Sequence, residues 1–170
     1  LRKGRQKGIN TYMSTPNLAL RTEYYGLRSV RLGLSGYFGD TQSKLYHDIK
    51  RNDEVAMAKA DSSVVGVNMI GLDARYQRKA LELKGQLYYV SLSNTEAYNK
   101  FTASGSKLND LGRAMLGYYA EVGYNVLQGC NTEKQLVPFV RYEHYNTHFA
   151  VDDVIKVNDA YHNKILTTGF

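Results

Sequence analysis

Few side chains in this sequence stand at spacings that could do covalent or metal chemistry. His144 and His148 are four apart, which on a helix would present two imidazoles to one metal ion, but their neighbours alternate as in a strand, where four residues span about 13 Å. The run GLSG at 33–36 holds a serine but lacks the final glycine of a nucleophile elbow. Asp152, Asp153, Asn158 and Asp159 lack the regular spacing of a calcium loop, and neither a phosphate loop nor a dinucleotide fingerprint is present. The sequence therefore points to no enzyme, no metal and no cofactor. What recurs at regular spacing is charge: Arg21, Glu23, Arg31, Asp73, Arg75, Glu82, Lys84, Glu121, Arg141 and Glu143, all but Glu143 between apolar or small neighbours. Successive side chains of a strand point to opposite faces, so these ten would share a wet face whose reverse is apolar.

The elements that must position them follow from that alternation. In the stretch 80–91, ALELKGQLYYVS, residues Leu81, Leu83, Gly85, Leu87 and Tyr89 oppose Glu82, Lys84, Gln86 and Tyr88. Further strands are predicted at 17–25, 30–39, 63–77, 114–127 and 136–146, with an unfinished seventh at 164–170. Pro138 forfeits a ladder hydrogen bond and belongs near a strand start or a bulge. The connections alternate in length: short at 26–29 and 78–79 and modest at 128–135, long at 40–62, 93–113 and 147–163. The first long loop has room for a helical turn, and in the second Asn94 could cap a short helix through Phe101.

Composition sets the outer bounds. The chain has 170 residues, 43% apolar and 22% charged, enough for one domain with a core. No run of 18 uncharged apolar residues exists, which excludes a transmembrane helix. The single cysteine, Cys130, cannot form an internal disulfide. The opening cluster Arg2, Lys3, Arg5 and Lys7 has no aromatic platform or basic helix beside it and reads as a solvated loop, not a nucleic-acid site. With no initiator Met or signal peptide at one end and a strand just beginning at the other, residues 1–170 read as a single partial domain, truncated at both ends.

Three patterns favour an all-β, antiparallel, up-and-down transmembrane β-barrel over a soluble sheet. Alternating connection lengths put short turns at one end and long loops at the other, as in outer-membrane barrels. The apolar faces carry no charge within the assigned strands. Aromatic residues of the apolar face sit near the strand ends, Tyr24, Tyr76 and Tyr124 by the short turns and Phe38, Tyr89, Tyr118 and Tyr142 by the long loops, with aliphatic residues between. Two membrane interfaces select such a bracket. The competing reading is a soluble antiparallel β-sheet or lipocalin-like binding protein.

The segments RTEYYGLRSVRLGLSGYFGDT (21–41), DARYQRKALELKGQLYYVSLSNT (73–95), GYYAEVGYNVL (117–127) and LVPFVRYEHYNT (136–147) resemble the phosphate-selective porin O and P family, in its Bacteroidota-type branch. The resemblance implies about six or seven strands of a sixteen-stranded porin, assembled as a homotrimer in the outer membrane of a Gram-negative bacterium, with lipid around it and small hydrophilic solutes or anions, phosphate among them, passing through. It also implies a lumenal ladder of arginine and lysine, although no residue here matches that ladder position by position. The ten charged residues, read as pore-lining, divide into five cations and five anions. That balance leaves little surplus to concentrate one ion sign, so a general porin with weak anion preference is expected, the net charge of +6 residing mainly in loops and turns.

Overall fold

The computed structural model describes residues 15–46, 49 and 52–170; the basic cluster of residues 2–7 lies outside them. The chain is all-β: among the described residues seven strands form one antiparallel sheet in the order β1-β2-β3-β4-β5-β6-β7, open at both edges. They are β1 Leu18–Tyr24, β2 Val30–Asp40, β3 Gly66–Arg78, β4 Leu81–Ser93, β5 Ala114–Tyr124, β6 Phe139–Ala150 and β7 His162–Gly169. Each strand pairs only with the strands before and after it in the chain.

The turns follow local chemistry. β3 and β4 are joined by Lys79 and Ala80, with Lys79 at a positive φ of 53° and Arg78 paired to Leu81. Ser29 takes a φ of 66° at the end of the β1–β2 turn, where the Val30 amide donates to the Leu27 carbonyl at 3.1 Å. Pro138 stands immediately before β6, where its missing N–H costs no ladder bond, and its carbonyl accepts from the Tyr124 amide at 3.1 Å.

Two expectations about connections need correction. β5 stops at Tyr124, so the β5–β6 connection spans 125–138, longer than the expected 128–135. β6 runs on to Ala150, because a register shift between Ala114 and Leu116 lets additional β6 residues pair with β5. The final connection therefore shrinks to 151–161, and strict alternation of short and long joints fails at this last pair.

The long connections are folded. The first contains a 3-10 turn at Lys44–Tyr46 and helix α1, Glu54–Ser62, capped by the Asp53 carboxylate accepting from the Ala56 amide at 3.0 Å. The second contains α2, Thr95–Phe101. Asn94 does precede it but does not cap it through its side chain. It lies at a φ of 62°, and its amide group instead donates to the carbonyls of Asp61 and Val64, tying the second loop to the first. A second 3-10 turn, Asp159–Tyr161, leads into β7.

Among the described residues the buried apolar side chains are Ala60, Val65, Ala80 and Ala114, all small or at the sheet margin. The large ones are open: Leu20 is 56% exposed, Leu34 51% and Leu72 52%. A sheet that sits on its own core hides such residues; this one leaves a whole face bare.

Candidate functional site

Register fixes the two faces. Across β1 to β7 one apolar-face row reads Thr22, Leu34, Leu72, Leu87, Tyr118, His144, Lys164, and the next toward the short turns reads Tyr24, Leu32, Ala74, Gly85, Ala120, Tyr142, Leu166. All ten charged residues singled out by alternation lie on the opposite face.

On that face the charges are sorted into rows. Arg31, Arg75, Lys84, Glu121 and Arg141 are register partners on the five consecutive strands β2 to β6, four cations and one carboxylate at about 4.8 Å per strand. The next row toward the long loops holds Glu23, Gly33, Asp73, Gln86, Tyr119 and Glu143, and the row toward the short turns holds Glu82.

Each of the ten has an opposite charge within reach. Arg21 bonds Glu23 at 2.7 Å and Asp73 at 3.1 Å; Arg31 faces Glu23 at 3.6 Å; Arg75 pairs with Glu82. Lys84 reaches Glu121 at 2.9 Å and Glu82 at 3.5 Å, while Arg141 reaches Glu143 at 2.5 Å and Glu121 at 3.8 Å. The Arg141 guanidinium also stacks 3.9 Å from the centroid of the Tyr119 ring. Arg21 and Asp73 lie on β1 and β3, two strands apart, and meet across Gly33 of β2, where any Cβ would collide with the Asp73 carboxylate. The glycine is the gap through which this bond passes. These pairs are part-exposed and add little stability. They fix long side chains into stripes of alternating sign.

At the long-loop end, the connections fold over the charged face. A cavity of about 550 Å³ is lined from the sheet by Val67, Leu92 and Met115, all on that face, and from the loops by Tyr98, His148 and Tyr161. Hydrogen bonds lock the loops together. Thr95 bonds Asp152 at 2.5 Å across 57 residues of sequence. The buried ring of His148 contacts the Asp110 carbonyl through Nε2 at 2.5 Å and accepts at Nδ1 from the Asn158 amide at 3.3 Å. Asn99, fully buried, donates to the Leu111 carbonyl and accepts from the Leu111 amide, both at 2.9 Å. The Tyr161 hydroxyl donates to the Asp110 carboxylate at 2.7 Å, and that bond raises its pKa. Burial, and then a bond to Asp61 at 2.6 Å, push the Tyr46 phenol up to about 12.

The other groups considered for chemistry take structural places. His144 and His148 part company: His144 Nε2 lies 2.7 Å from His162 Nε2 on the apolar face, and His148 turns into the loop cluster. Ser35 is an ordinary residue of β2 whose hydroxyl reaches the Gly71 carbonyl at 3.4 Å. Asp152 accepts from Thr95, and Asn158 caps the second 3-10 turn. Alternation alone missed Tyr119, whose neighbour Arg141 marks it only once the strands are paired. It also missed that β7 places His162 and Lys164 on the apolar face; pairing with β6 was the signal needed.

No family model and no solved structure matches the chain. A segment of 67 residues, 37% of the chain, is 34% identical to a protein of Aquifex aeolicus (strain VF5) that bears the name "Uncharacterized protein", and the chain spans about 15% of the length of that curated relative.

Proposed function

We propose that the chain is part of the wall of an outer-membrane porin of the type its sequence resembles, with the charged face toward a water-filled pore and the apolar face toward lipid. The observation that carries this reading is the course of the aromatic residues across the sheet. On the long-loop side they run Phe38, Tyr89, Tyr118, Tyr142 over β2, β4, β5 and β6. Tyr142 is level by register with Leu32 of β2, six residues from Phe38, so the line drops about 20 Å over four strand spacings of about 19 Å. On the short-turn side Tyr24 is level with Ala120, and Tyr124 lies four residues beyond it, a drop of about 13 Å over the same width. Both lines slope the same way, at roughly 35–45° to the hydrogen-bond rows, the tilt of strands in a membrane barrel. Rings held at two fixed depths in a bilayer must trace such diagonals when strands tilt.

Two further facts support the assignment of faces. The apolar face is bare, and the long loops fold over the charged face. A lipocalin-like container would enclose its apolar side instead. The porin is a homotrimer in the outer membrane of a Gram-negative bacterium and passes small hydrophilic solutes with weak anion preference, because five cations face five anions in paired stripes. The test is the reversal potential of the full-length protein in a planar bilayer under a salt gradient, with phosphate added as competitor. A small anion-directed potential is expected, increasing in Glu121→Gln, which releases Lys84 and Arg141 from a shared carboxylate. Strong anion selectivity blocked by micromolar phosphate would overturn the general-porin reading in favour of a phosphate-specific one.

A further inference from the structure

The apolar face turns polar at its margins, with Asp40 ending β2, Arg78 ending β3, and a cluster on β6 and β7. His144 on β6 and His162 and Lys164 on β7 form a polar island, with Lys164 the register partner of His144 and Asn146 the partner of His162. Lys164 is exposed and makes no ion pair among the described residues, and the Nδ1 of His144 is buried with no hydrogen-bond partner. The rings and charges that face the pair are those of Lys164 on β7 and Tyr118 on β5, whose ring centroid lies 4.9 Å from that of His144, with Tyr142 beside Tyr118. The acidic residues of β3 to β6 in this register all point to the other face.

Its depth follows from the aromatic diagonal. Continued one strand past Tyr142, the long-loop line crosses β7 between Leu166 and Thr168, since Leu166 is level with Tyr142 and the line drops slightly less than one same-face step per strand. Lys164 and His162 then lie outside the line, on the long-loop side, where headgroups begin.

We infer that His144, His162 and Lys164 form a docking site for the phosphate group of a membrane lipid, at the border of the apolar face on the long-loop side. This rests on the membrane reading above. The two Nε2 atoms at 2.7 Å share one proton, one imidazole donating to the other. A phosphate accepts from the Lys164 ammonium and from an imidazole N–H of the pair. Cationic side chains at a headgroup surface with an unscreened apolar neighbour select an anionic lipid over a zwitterionic one.

The experiment incorporates the full-length protein into vesicles of phosphatidylcholine alone and of phosphatidylcholine mixed with phosphatidic acid, and measures bound lipid by native mass spectrometry after extraction. Wild type is expected to retain phosphatidic acid preferentially, Lys164→Gln to weaken that retention about five-fold, Lys164→Arg to keep it, and the triple change H144Q/H162Q/K164Q to abolish it. Insertion of both wild type and variant into phosphatidylcholine, with no lipid preference in either, overturns the site and leaves the membrane reading standing. Failure of wild type to insert into either vesicle overturns the membrane reading itself. Displacement of the lipid by inorganic phosphate at equal concentration assigns the site to a free anion and overturns it as a lipid site. A change of oligomeric state in the triple variant in phosphate-free detergent assigns the patch to a second copy of the chain and does the same.

Discussion

The two faces of the sheet are made by the same strands, and they differ in almost everything else. On the charged face, ten ionised side chains of β1 to β6 are arranged in rows and bound to one another; on the apolar face, no charge lies between the two aromatic lines, and leucines such as Leu34 and Leu72 stand half exposed. The charged face is also where the loops come to rest, while the apolar face has no cover from the described residues. The difference teaches that a period of two specifies two environments independently along one strand. It also makes register unforgiving, since a slip of one residue exchanges every side chain between them.

The largest effect should come from carrying the chemistry of one face onto the other. Leu72 lies about midway between the two aromatic lines on β3, and Leu72→Arg is expected to cost about 2–4 kcal/mol and to abolish heat-modifiable assembly in the membrane. Lys84→Ala on the charged face should assemble normally. Equal assembly of the two variants would erase the distinction between the faces.

The comparison is sharpened by depth. Leu34 and Lys164 occupy the same hydrogen-bond row five strands apart, and on the proposed porin reading a tilt of about 40° would separate them by about 15 Å along the membrane normal. Residues 1–170 hold no tryptophan, so in the full-length protein with any tryptophan outside them changed to Phe, Leu34→Trp and Lys164→Trp each introduce a single reporter. Lipids brominated deep in their chains should quench the first and not the second; equal quenching would mean the rows run parallel to the membrane.

A smaller effect is expected where loops meet the charged face. Asn99→Ala removes both side-chain bonds to Leu111 and strands a buried backbone pair, a loss of about 1–3 kcal/mol confined to the loop cluster. Hydrogen exchange should quicken in α2 and residues 109–113 and stay unchanged in β3 and β4. Faster exchange throughout the sheet would show that the loops are part of its core.

The smallest effect is alkaline. Tyr46 and Tyr161 donate to carboxylates as neutral phenols and have raised folded-state pKa values, so their contribution is fully present below the ordinary tyrosine pKa of about 10 and is lost as pH rises through the raised values, about 12 for Tyr46. A spectrophotometric titration should show a late-ionising fraction that disappears in the Tyr46→Phe, Tyr161→Phe double variant, with the sheet unaltered.

The strands were largely readable because the information is local: a charge whose neighbours are mostly apolar or small declares its own face, and pairing merely brings the faces into line. Strand ends were less so, as at β6, where a register shift adds pairing that no periodicity announces. The loops were the least readable. Asn94 has the right residue type and place for a cap, yet partners in the preceding loop claim its amide, and Thr95 finds Asp152 only after three strands have been laid side by side. The ten charges could be placed on one face from sequence, but their sorting into rows depends on register between strands, and the bond from Arg21 to Asp73 depends on a glycine in a third strand.

Strand order here equals chain order, so each ladder joins neighbours along the polypeptide and no connection passes over another. Such a sheet can grow at its open edge by zipping each strand onto the last, with no loop longer than the connection 41–65 to close at any step. Gene-level duplication or loss of a hairpin would add or remove two strands without rethreading the others. In a closed wall, where diameter rises with strand number, the width of the opening becomes something evolution can count out in pairs.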